Sequence, residues 1–268
     1  MHRLSILSCV AASFCGCGVT PLTPRDPDPG AFHFVIETYN LNNEEEGNPV
    51  TTAAVGDANA DVVCLQEVSE VWRSALESRY AARYPYRAFR PDPGGGAAGL
   101  GIMSRFPIRD GGFLPGPRGW HPSWQHLIDT PHGTFAVLNV HLRNAAGDSG
   151  NAVQSYLRTD ADHLYEIKEF TARCADVMPM IVAGDFNEGT SGAAIRYLQE
   201  NGFQNSLPLY HPGQPTWRYD KTVGGQFTQT IDHILFDDRF ESLNAWVVNG
   251  GASDHLPVLA HLQASGDF

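Results

Sequence analysis

The sequence has few cysteines and no hydrophobic run long enough to cross a bilayer. Three of its five cysteines lie within the first 17 residues, which leaves Cys64 and Cys174 for the rest of the chain. This distribution excludes a small fold held together by disulfides, and Cys64, inside the apolar run 62–65, is expected to be a buried small hydrophobic residue. The apolar stretch 4–12 is too short for a transmembrane helix but suits a signal peptide.

The chain also lacks clustered basic residues. It has 18 Lys and Arg residues against 30 Asp and Glu, for a net charge of -12, and without the predicted signal peptide, which holds Arg3 and no acid, the charge becomes -13. A surface that covers a nucleic-acid backbone needs clustered Lys and Arg. The composition therefore disfavours a nuclease without excluding one.

The first 30 residues are predicted to lie outside the folded domain. Residues 1–18 have the pattern of a signal peptide, and Phe14-Cys15-Gly16-Cys17 loosely resembles a bacterial lipoprotein cleavage box with Cys17 as the lipidated residue, although Phe14 and Cys15 fit that box poorly. Residues 19–30, rich in Pro and Asp, indicate a tether. We expect an exported protein, either secreted or held at the membrane surface of the cell envelope through Cys17.

Residues 31–268 contain no internal repeat and no long linker, which predicts one large domain. Helices alternate with strands in the first two thirds and strands dominate the last third, a mixture that favours an α/β sandwich. Helices are expected at 49–59, with Asn48 as the N-cap, and at 70–84, 150–176 and 192–199. Strands are expected at 32–39, 61–65, 100–103, 124–129, 134–142, 180–183, 216–219, 229–236, 243–248 and 256–261, and a loop at 206–213.

The segment 180–188 is an apolar strand that stops at Gly184 and then presents Asp185 and Asn187. In an extended chain, residues two apart point to the same face, so both side chains would meet a single ligand. The same sequence also suits a turn, because Asp and Asn both favour turns. Taken alone, the segment does not decide between the two interpretations.

Several other apolar strands end in polar residues, namely Asn40, Glu67, His141, Asp232 with His233, and Asp254 with His255. A solvated strand end is the simpler explanation for any one of them, whereas the set together indicates a metal-dependent hydrolase. The oxygen donors suit Mg²⁺, and Zn²⁺ would favour more His or Cys ligands, so a zinc hydrolase is the weaker alternative. His233 follows Asp232 in a strand, points to the opposite face and is expected to be structural.

Seven motifs, in order along the chain, resemble the endonuclease/exonuclease/phosphatase superfamily of Mg²⁺-dependent phosphoesterases. They are Thr38-Tyr-Asn, Leu65-Gln-Glu-Val, Gly101-Ile-Met-Ser-Arg-Phe-Pro-Ile, Asn139-Val-His-Leu, Gly184-Asp-Phe-Asn, Ile231-Asp-His-Ile and Ser253-Asp-His. The resemblance covers essentially all of 32–262. It implies a four-layer α/β/β/α sandwich of two packed mixed sheets flanked by helices, with the site where loops of the two sheets converge.

The same resemblance implies a site for Mg²⁺, with Mn²⁺ as a possible substitute. Glu67 would be the principal metal ligand, with help from Asn40 and Asp254. No Lys or Arg in the motif set is expected to replace the charge of the ion.

The resemblance also implies catalytic roles. Asp185 would orient and activate the attacking water. Asn187 and His141 would stabilise the phosphate or the leaving group, while Asp232 would orient His255 beside the phosphorane-like transition state. A phosphodiester is already anionic, so catalysis consists mostly of neutralising charge and placing water in line with the leaving oxygen.

The substrate is less well defined by the sequence. Aromatic residues that could flank the site are Trp120, His121, Trp124, Tyr210, Trp217 and Tyr219, and candidate phosphate contacts are Arg87, Arg90, Arg105 and Arg143. We expect a monomeric exported phosphodiesterase for a small molecule or lipid headgroup, ahead of a nuclease for DNA or RNA. A catalytically dead binding domain is the remaining alternative. Such a domain would be expected to have lost one or more motif residues, whereas every required residue is present here.

Overall fold

The computed structural model describes residues 20–144, 152–174, 179–220 and 225–266. The predicted signal peptide and Cys17 lie outside these ranges. The helices of the described residues are α1 (Pro49–Asp57), α2 (Glu70–Tyr80), α3 (Ala152–Thr171), α4 (Ala193–Glu200) and α5 (Ser206–Tyr210). No helix in the described part of the chain is long and apolar enough to cross a membrane.

The strands of the described residues form two six-stranded sheets and a separate pair. Sheet I consists of β1 (His33–Asn40), β2 (Val62–Gln66), β3 (Tyr86–Arg90), β4 (Leu100–Ser104), β13 (Phe240–Val247) and β14 (Val258–Ala264), in the order β13-β14-β1-β2-β4-β3. Sheet II consists of β5 (Ile108–Leu114), β6 (Ser123–Thr130), β7 (Gly133–His141), β8 (Met180–Asp185), β9 (Gln204–Asn205) and β12 (Asp232–Phe236), in the order β5-β6-β7-β8-β12-β9. The pair is β10 (Trp217–Asp220) with β11 (Gln226–Gln229).

Three apolar layers explain how the sheets and helices stack. One layer fills the space between the sheets and includes Phe34 and Ile36 of β1 together with Phe135 of β7. A second joins sheet I to α1 and α2, and a third joins sheet II to α3 and α4. Along β1 the alternation is direct, since Phe34 and Ile36 face sheet II whereas Val35 and Tyr39 face the helices. The predicted α/β/β/α sandwich of two mixed sheets is confirmed.

Each sheet has one parallel pair of strands near its middle. In sheet I this pair is β1 with β2, where Asn40 lies beside Gln66, and in sheet II it is β7 with β8, where His141 lies beside Asp185. The carboxyl ends of parallel strands meet at the same edge of a sheet, while their antiparallel neighbours point the other way. This arrangement gathers polar strand ends at one end of the sandwich.

Most of the predicted elements are present, and the differences have local causes. The loop predicted at 206–213 contains the short helix α5. Pro208 does not prevent it, because it lies in the first turn, where a helix needs no N–H from that residue. The helix predicted at 70–84 ends at Tyr80, and a turn then brings the buried Tyr84 round so that its hydroxyl donates to Ala60 O at 3.0 Å. Strand β3 was not predicted.

The strand predicted at 229–236 is two strands, β11 and β12, separated at Thr230 and Ile231. At this break the Thr216 hydroxyl oxygen accepts hydrogen bonds from the backbone N–H groups of Ile231 and Asp232, both at 3.0 Å. Because Thr216 takes these donors, β11 leaves sheet II and pairs with β10 instead.

The predicted tether lies against the domain along its described part. Leu22 N–H donates to Leu209 O at 2.7 Å, and Arg25 N–H donates to Leu243 O at 3.0 Å. Asp28 N–H then donates to Gln263 Oε1 at 2.6 Å. Residues 20–30 are thus attached to α5, β13 and β14 rather than excluded from the fold, although the division of the chain into signal peptide, tether and catalytic domain stays a prediction.

Glu37 is an unusual residue of sheet I, because its carboxyl group lies on the helix-facing side of β1. The side chain is fully buried, and neither carboxyl oxygen has a hydrogen-bond partner among the described residues. Burial, together with the charge of Asp57, raises the pKa of Glu37 well above its usual value. The folded state therefore holds a proton on Glu37 at pH values where the unfolded chain has lost it.

We expect Glu37→Met to stabilise the protein by about 1–3 kcal/mol at pH 8, because it removes a buried polar group that has no partner. Since the pKa is raised on folding, the wild-type stability is fully retained below the unfolded pKa of about 4.3 and falls as pH rises towards the folded pKa. The gain from Glu37→Met should therefore be smaller at pH 5 than at pH 8. Urea unfolding at both pH values measures this, and a loss of stability at pH 8 would contradict it.

Candidate active site

Polar side chains from both sheets meet at the end of the sandwich where the parallel strands finish. β1 ends at Asn40, Glu67 directly follows β2, β7 ends at His141 and β8 ends at Asp185. Because the two sheets pack face to face, the two pairs of strand ends come together in space. The structure thus brings together residues that the sequence predicted as one site.

Asp185 lies at the centre of this cluster and is 1% exposed. Its Oδ2 accepts a hydrogen bond from Asn40 Nδ2 at 3.0 Å, and its Oδ1 accepts one from Asn187 N–H at 2.8 Å. Burial raises the pKa of Asp185 above its usual value, against the opposing influence of the His255 charge. A raised pKa suits a carboxylate that accepts a proton.

Asp185 and Asn187 converge, but not because they alternate in a strand. β8 ends at Asp185, and Asn187 has a left-handed backbone with φ 51°, so the turn interpretation explains the geometry. The Asn187 side chain donates to Leu142 O at 2.9 Å. Gly184, at φ 155°, permits the close approach of β7, since a Cβ atom there would lie 1.9 Å from Val140 O.

Glu67 directs its carboxylate towards the same cluster from sheet I. Its Oε1 accepts from Asn40 Nδ2 at 3.1 Å and its Oε2 accepts from Asn43 N–H at 2.9 Å. The backbone of Glu67 is left-handed, with φ 58°, a conformation that costs a non-glycine residue about 1–2 kcal/mol. Strain of this kind persists where the surroundings enforce it and is common at functional sites.

His255 lies between two carboxylates. Its Nδ1 is 3.0 Å from both carboxyl oxygens of Asp232, and its Nε2 is 3.7 Å from Asp185 Oδ2. Burial disfavours the charged ring, but the charges of Asp232 and Asp185 raise the pKa of His255 to about 10. Thr216 Oγ1 donates to Asp232 Oδ2 at 2.6 Å and fixes that carboxylate. The His255 ring is therefore positively charged at neutral pH and held in one orientation.

His141 reaches the cluster from β7 and differs from His255 in its charge. Burial, with the charges of His121 and His255, holds the pKa of His141 well below its usual value. Its Nδ1 donates to Ala97 O at 3.0 Å, which leaves Nε2 unprotonated, 3.5 Å from Asp185 Oδ2. The His121 ring packs on it with centroids 4.0 Å apart. His141 thus offers a hydrogen-bond acceptor to the site.

Asp254 lies on the wall of the same cleft. Its Oδ1 accepts from Asn42 Nδ2 at 2.9 Å, and its Oδ2 accepts from Trp217 Nε1 at 2.7 Å. Asp254 therefore fixes Trp217 beside the cluster. Its role as a metal ligand stays a prediction.

The donor set of the cluster suits a hard divalent cation. Five carboxylates, those of Glu44, Glu67, Asp185, Asp232 and Asp254, lie in or beside the cleft, and His255 is the charged partner that the described side chains supply. One imidazolium does not balance this negative charge, and oxygen donors of this kind are those that Mg²⁺ prefers. A buried group of Asp185, Asp232 and His255, with ligand atoms within 4.8 Å of one another, also lies here. A divalent metal ion fits, and its identity as Mg²⁺ stays a prediction.

The cluster opens into a cleft of about 570 Å³. Among the described residues, those lining the cleft include no Lys or Arg. The four arginines predicted as phosphate contacts are engaged elsewhere: Arg87 with Tyr84 O, Arg90 with the rings of Phe113 and Trp124, Arg105 with Asp61, and Arg143 with Asp162. None of these four arginines lines the cleft, and each guanidinium group contacts other parts of the fold.

Two of the predicted aromatic residues, Trp217 and Tyr219, do line the cleft. Both lie on β10, and their rings stack with centroids 6.2 Å apart and planes at 14°. Tyr219 is 55% exposed, and Phe227, opposite it on β11, is 44% exposed. Trp124 and Tyr210 are buried core residues instead. An exposed aromatic surface thus borders the cleft on the side of β10 and β11.

A buried pair, His163 and Glu188, supports the site from behind and was missed in the sequence. His163 Nδ1 is 3.1 Å from Glu188 Oε2, and its Nε2 donates to Arg143 O at 2.6 Å. His163 thereby ties together the segments that follow β7 and β8. The neighbouring His233 also contacts Glu188, donating from Nε2 to its backbone oxygen at 3.0 Å, so the prediction that His233 is structural is confirmed. Only the position of Glu188 directly after Asn187 gave a signal.

Comparison with known proteins agrees with this geometry. The family model described as Endonuclease/Exonuclease/phosphatase family matches residues 38–255. Among solved structures, an endonuclease/exonuclease/phosphatase from Beutenbergia cavernae has a TM-score of 0.68 at 20% identity, covering 88% of this chain and 72% of that one. The human nocturnin catalytic domain with bound sulfate has a TM-score of 0.66 at 16% identity, with coverage of 87% and 95%.

Sphingomyelinase C from Streptomyces griseocarneus is also similar, with a TM-score of 0.58 at 17% identity and coverage of 85% of this chain and 99% of that one. At these identities the solved structures establish the fold alone. Comparison with curated protein sequences finds no match.

Proposed function

The chain belongs to the endonuclease/exonuclease/phosphatase family, whose members are metal-dependent hydrolases of phosphoester bonds, and on that premise we propose that it hydrolyses the phosphodiester of a small molecule or a lipid headgroup. The observation that carries the proposal is the single cluster in which Asp185 lies between the Asn40–Glu67 side and the Asp232–His255 side. This cluster combines a proton acceptor, a fixed positive charge and a set of oxygen donors.

Each side chain has a role that follows from its contacts. Asp185, held by N–H donors on both oxygens, would orient the attacking water and accept its proton. His255, held by Asp232, would neutralise the charge that develops on the phosphoryl oxygens. Asn187 would position the phosphate or the leaving group through its side-chain amide. His141 would do the same only with a proton on Nε2, because Nδ1 is engaged with Ala97 O and an unprotonated Nε2 can only accept. These roles reproduce those implied by the sequence motifs.

Glu67 and Asn40, with Asp254 beside them, are the residues that would hold the metal, which we propose to be Mg²⁺ with Mn²⁺ as a substitute. When bound, the ion supplies positive charge to the phosphoryl oxygens. The carboxylates would hold the ion in place. The Asn40 amide donates to both Glu67 and Asp185 and so connects the proposed metal ligand to the proposed proton acceptor.

Two features support a small-molecule or lipid-headgroup substrate over nucleic acid. Nucleic acid recognition relies on clustered Lys and Arg, and the described residues that line the cleft include neither. Tyr219 and Phe227 instead present exposed aromatic rings next to the cleft. Tyr219 combines an apolar ring with a polar hydroxyl, which suits the boundary between water and an apolar phase, and Phe227 adds apolar surface beside it.

A panel of substrates in the presence of Mg²⁺ tests the proposal. The substrates are bis-p-nitrophenyl phosphate, sphingomyelin vesicles, plasmid DNA and p-nitrophenyl phosphate, and the control is Asp185→Asn, which keeps the shape of the side chain. We expect turnover of a small or lipid phosphodiester that the control lacks. If the wild type prefers plasmid DNA, the protein is a nuclease and the proposal is wrong. If the wild type hydrolyses none of the substrates, the result favours a binding domain without catalytic activity.

We also propose that the protein is exported and monomeric, and held on a membrane surface through lipid on Cys17. Residues 20–30 lie against the domain, so a lipid at Cys17 would be joined to the folded domain by only a short segment. The catalytic domain would then stay close to the membrane rather than sample a wide volume.

Detergent partitioning of the wild type and Cys17→Ser checks the anchor. The wild type should enter the detergent phase, and Cys17→Ser should stay in the aqueous phase, because the acyl chains supply most of the membrane affinity. Cys9→Ser, in the segment predicted to be removed, serves as the control and should behave as the wild type. Equal partitioning of Cys17→Ser would leave simple secretion as the alternative.

A further inference from the structure

Two histidines form a close pair at the opposite end of β1 from the active site. His33 is the first residue of β1, and His261 lies on the adjacent antiparallel strand β14. His33 is paired with Gln263 and His261 with Val35, so the two imidazoles are diagonal neighbours on one face of sheet I. That face is the one turned away from sheet II. Asn40, at the other end of β1, is roughly 20 Å distant at the rise of a strand.

The two ring nitrogens are about as close to each other as two imidazole ligands of one metal ion. His33 Nδ1 lies 3.0 Å from His261 Nε2, and the rings are nearly perpendicular, with centroids 5.1 Å apart and an angle of 65°. Two nitrogen ligands of a tetrahedral Zn²⁺ ion, each about 2.0–2.1 Å from the metal, are roughly 3.3 Å apart. Only a small movement of either ring separates the present hydrogen bond from that geometry.

Two carboxylates act on this pair. The charges of Asp61 and Asp26 favour the charged form of His261, although burial and the charge of His33 lower its pKa overall. Asp61 is already engaged, because its oxygens accept from Arg105 and from Val35 N–H, both at 2.8 Å. Asp26 is the other carboxylate whose charge acts on His261, and its exposed side chain would have to move to reach a metal ion held by the two imidazoles.

Asp26 also belongs to a segment that is tied to this corner of the sheet. Two residues further on, Asp28 exchanges hydrogen bonds with Gln263, which is the strand partner of His33. A ligand from residues 25–28 would therefore join the N-terminal segment to β1 and β14 at a place where the two already touch.

We propose that His33 and His261 form a binding site for a zinc-class divalent ion, with the Asp26 carboxylate as a further ligand, which fastens the N-terminal segment to sheet I. The site is separate from the phosphoesterase centre and does not depend on the reaction assigned to it. Water completes the coordination, since the described residues supply two nitrogens and one carboxylate.

Zinc titration calorimetry of the full chain, with Mg²⁺ in excess to occupy the active site, tests the proposal. We expect His33→Gln and His261→Gln each to lower the affinity of one Zn²⁺ site by about tenfold or more, the scale on which changes around a metal lower its affinity. Asp26→Asn should weaken the same site. The matched control is His211→Gln, an exposed histidine in the turn after α5, which should titrate as the wild type.

Thermal unfolding provides a second measurement, which remains usable if Zn²⁺ binds too weakly for the calorimetric titration to give an affinity. Zn²⁺ should raise the Tm of the wild type and of His211→Gln, but not that of His33→Gln, because an ion that binds only the folded state stabilises it. Hydrogen exchange of residues 22–28 should slow with Zn²⁺ in the wild type and in His211→Gln, but not in His33→Gln. Identical Zn²⁺ titrations and Tm shifts in the wild type and both pair variants would overturn the site and leave a simple hydrogen bond between two histidines. An unchanged Asp26→Asn variant would remove Asp26 from it.

Discussion

Replacing His255 by Asn is expected to lower kcat about a hundredfold or more, with a much smaller change in KM. The ring is held between the Asp232 carboxylate and Asp185, so its positive charge is fixed where negative charge grows on the phosphoryl group. That charge matters most in the transition state, which is why the loss should appear in kcat. If His255 only formed a turn before β14, Asn would serve equally well and activity would be kept.

The double variant with Asp232→Asn gives the sharper measurement. Asp232 contacts His255 Nδ1 with both oxygens, so its effect should act largely through that ring. The two losses should therefore be far from additive in a double-mutant cycle measured on kcat. His211→Asn, an exposed histidine, controls for the substitution itself. Additive losses would mean that Asp232 and His255 act independently, and their assignment as a pair would have to be withdrawn.

Glu67→Ala is expected to abolish metal-dependent hydrolysis while the protein remains folded. Glu67 directs its carboxylate into a cluster of acids and is mostly, not fully, buried, with its side chain 14% exposed. Removing one anion from such a cluster lowers the repulsion within the metal-free protein. Activity in a Mg²⁺ titration and the unfolding midpoint in the absence of metal measure the two effects separately.

Glu67→Gln is the matched variant, because it keeps the shape of the side chain and removes only its charge. It should lose activity nearly as completely as Glu67→Ala if the charge binds the ion. Full activity of the wild type in chelator would contradict the metal requirement. Unfolding of both Glu67 variants would show instead that Glu67 is a structural residue of the strand end.

The sequence predicted the site well wherever a residue's position at the end of a strand determined its location. Asn40, His141 and Asp185 end their strands, and the parallel pairing within each sheet then gathers them. For Asp185 and Asn187 the sequence left two interpretations open, and a left-handed turn rather than strand alternation brings them together. Short motifs specify such local backbone geometry more strongly than a strand pattern does.

Contacts between distant segments could not be predicted in this way. Thr216 fixes Asp232 and interrupts a predicted strand, and Asp254 holds Trp217 at the cleft wall, yet neither contact follows from a pattern in its own segment. The partners of the arginine side chains could not be predicted either, because an ion pair such as Arg143 with Asp162 depends on how distant segments pack. Residue type alone therefore did not distinguish the aromatic residues that line the cleft, Trp217 and Tyr219, from the arginines that do not.

The attached N-terminal segment also bears on solubility. β13 forms one edge of sheet I, and an uncovered edge strand offers free N–H and C=O groups to strands of other molecules. Residues 20–30 run beside this edge, where Arg25 donates its backbone N–H to Leu243 O and pairs its guanidinium with Glu241. A chain shortened to begin at residue 31 would keep every proposed catalytic side chain but would expose the edge strand β13. We therefore expect such a chain to self-associate while its active site stays intact.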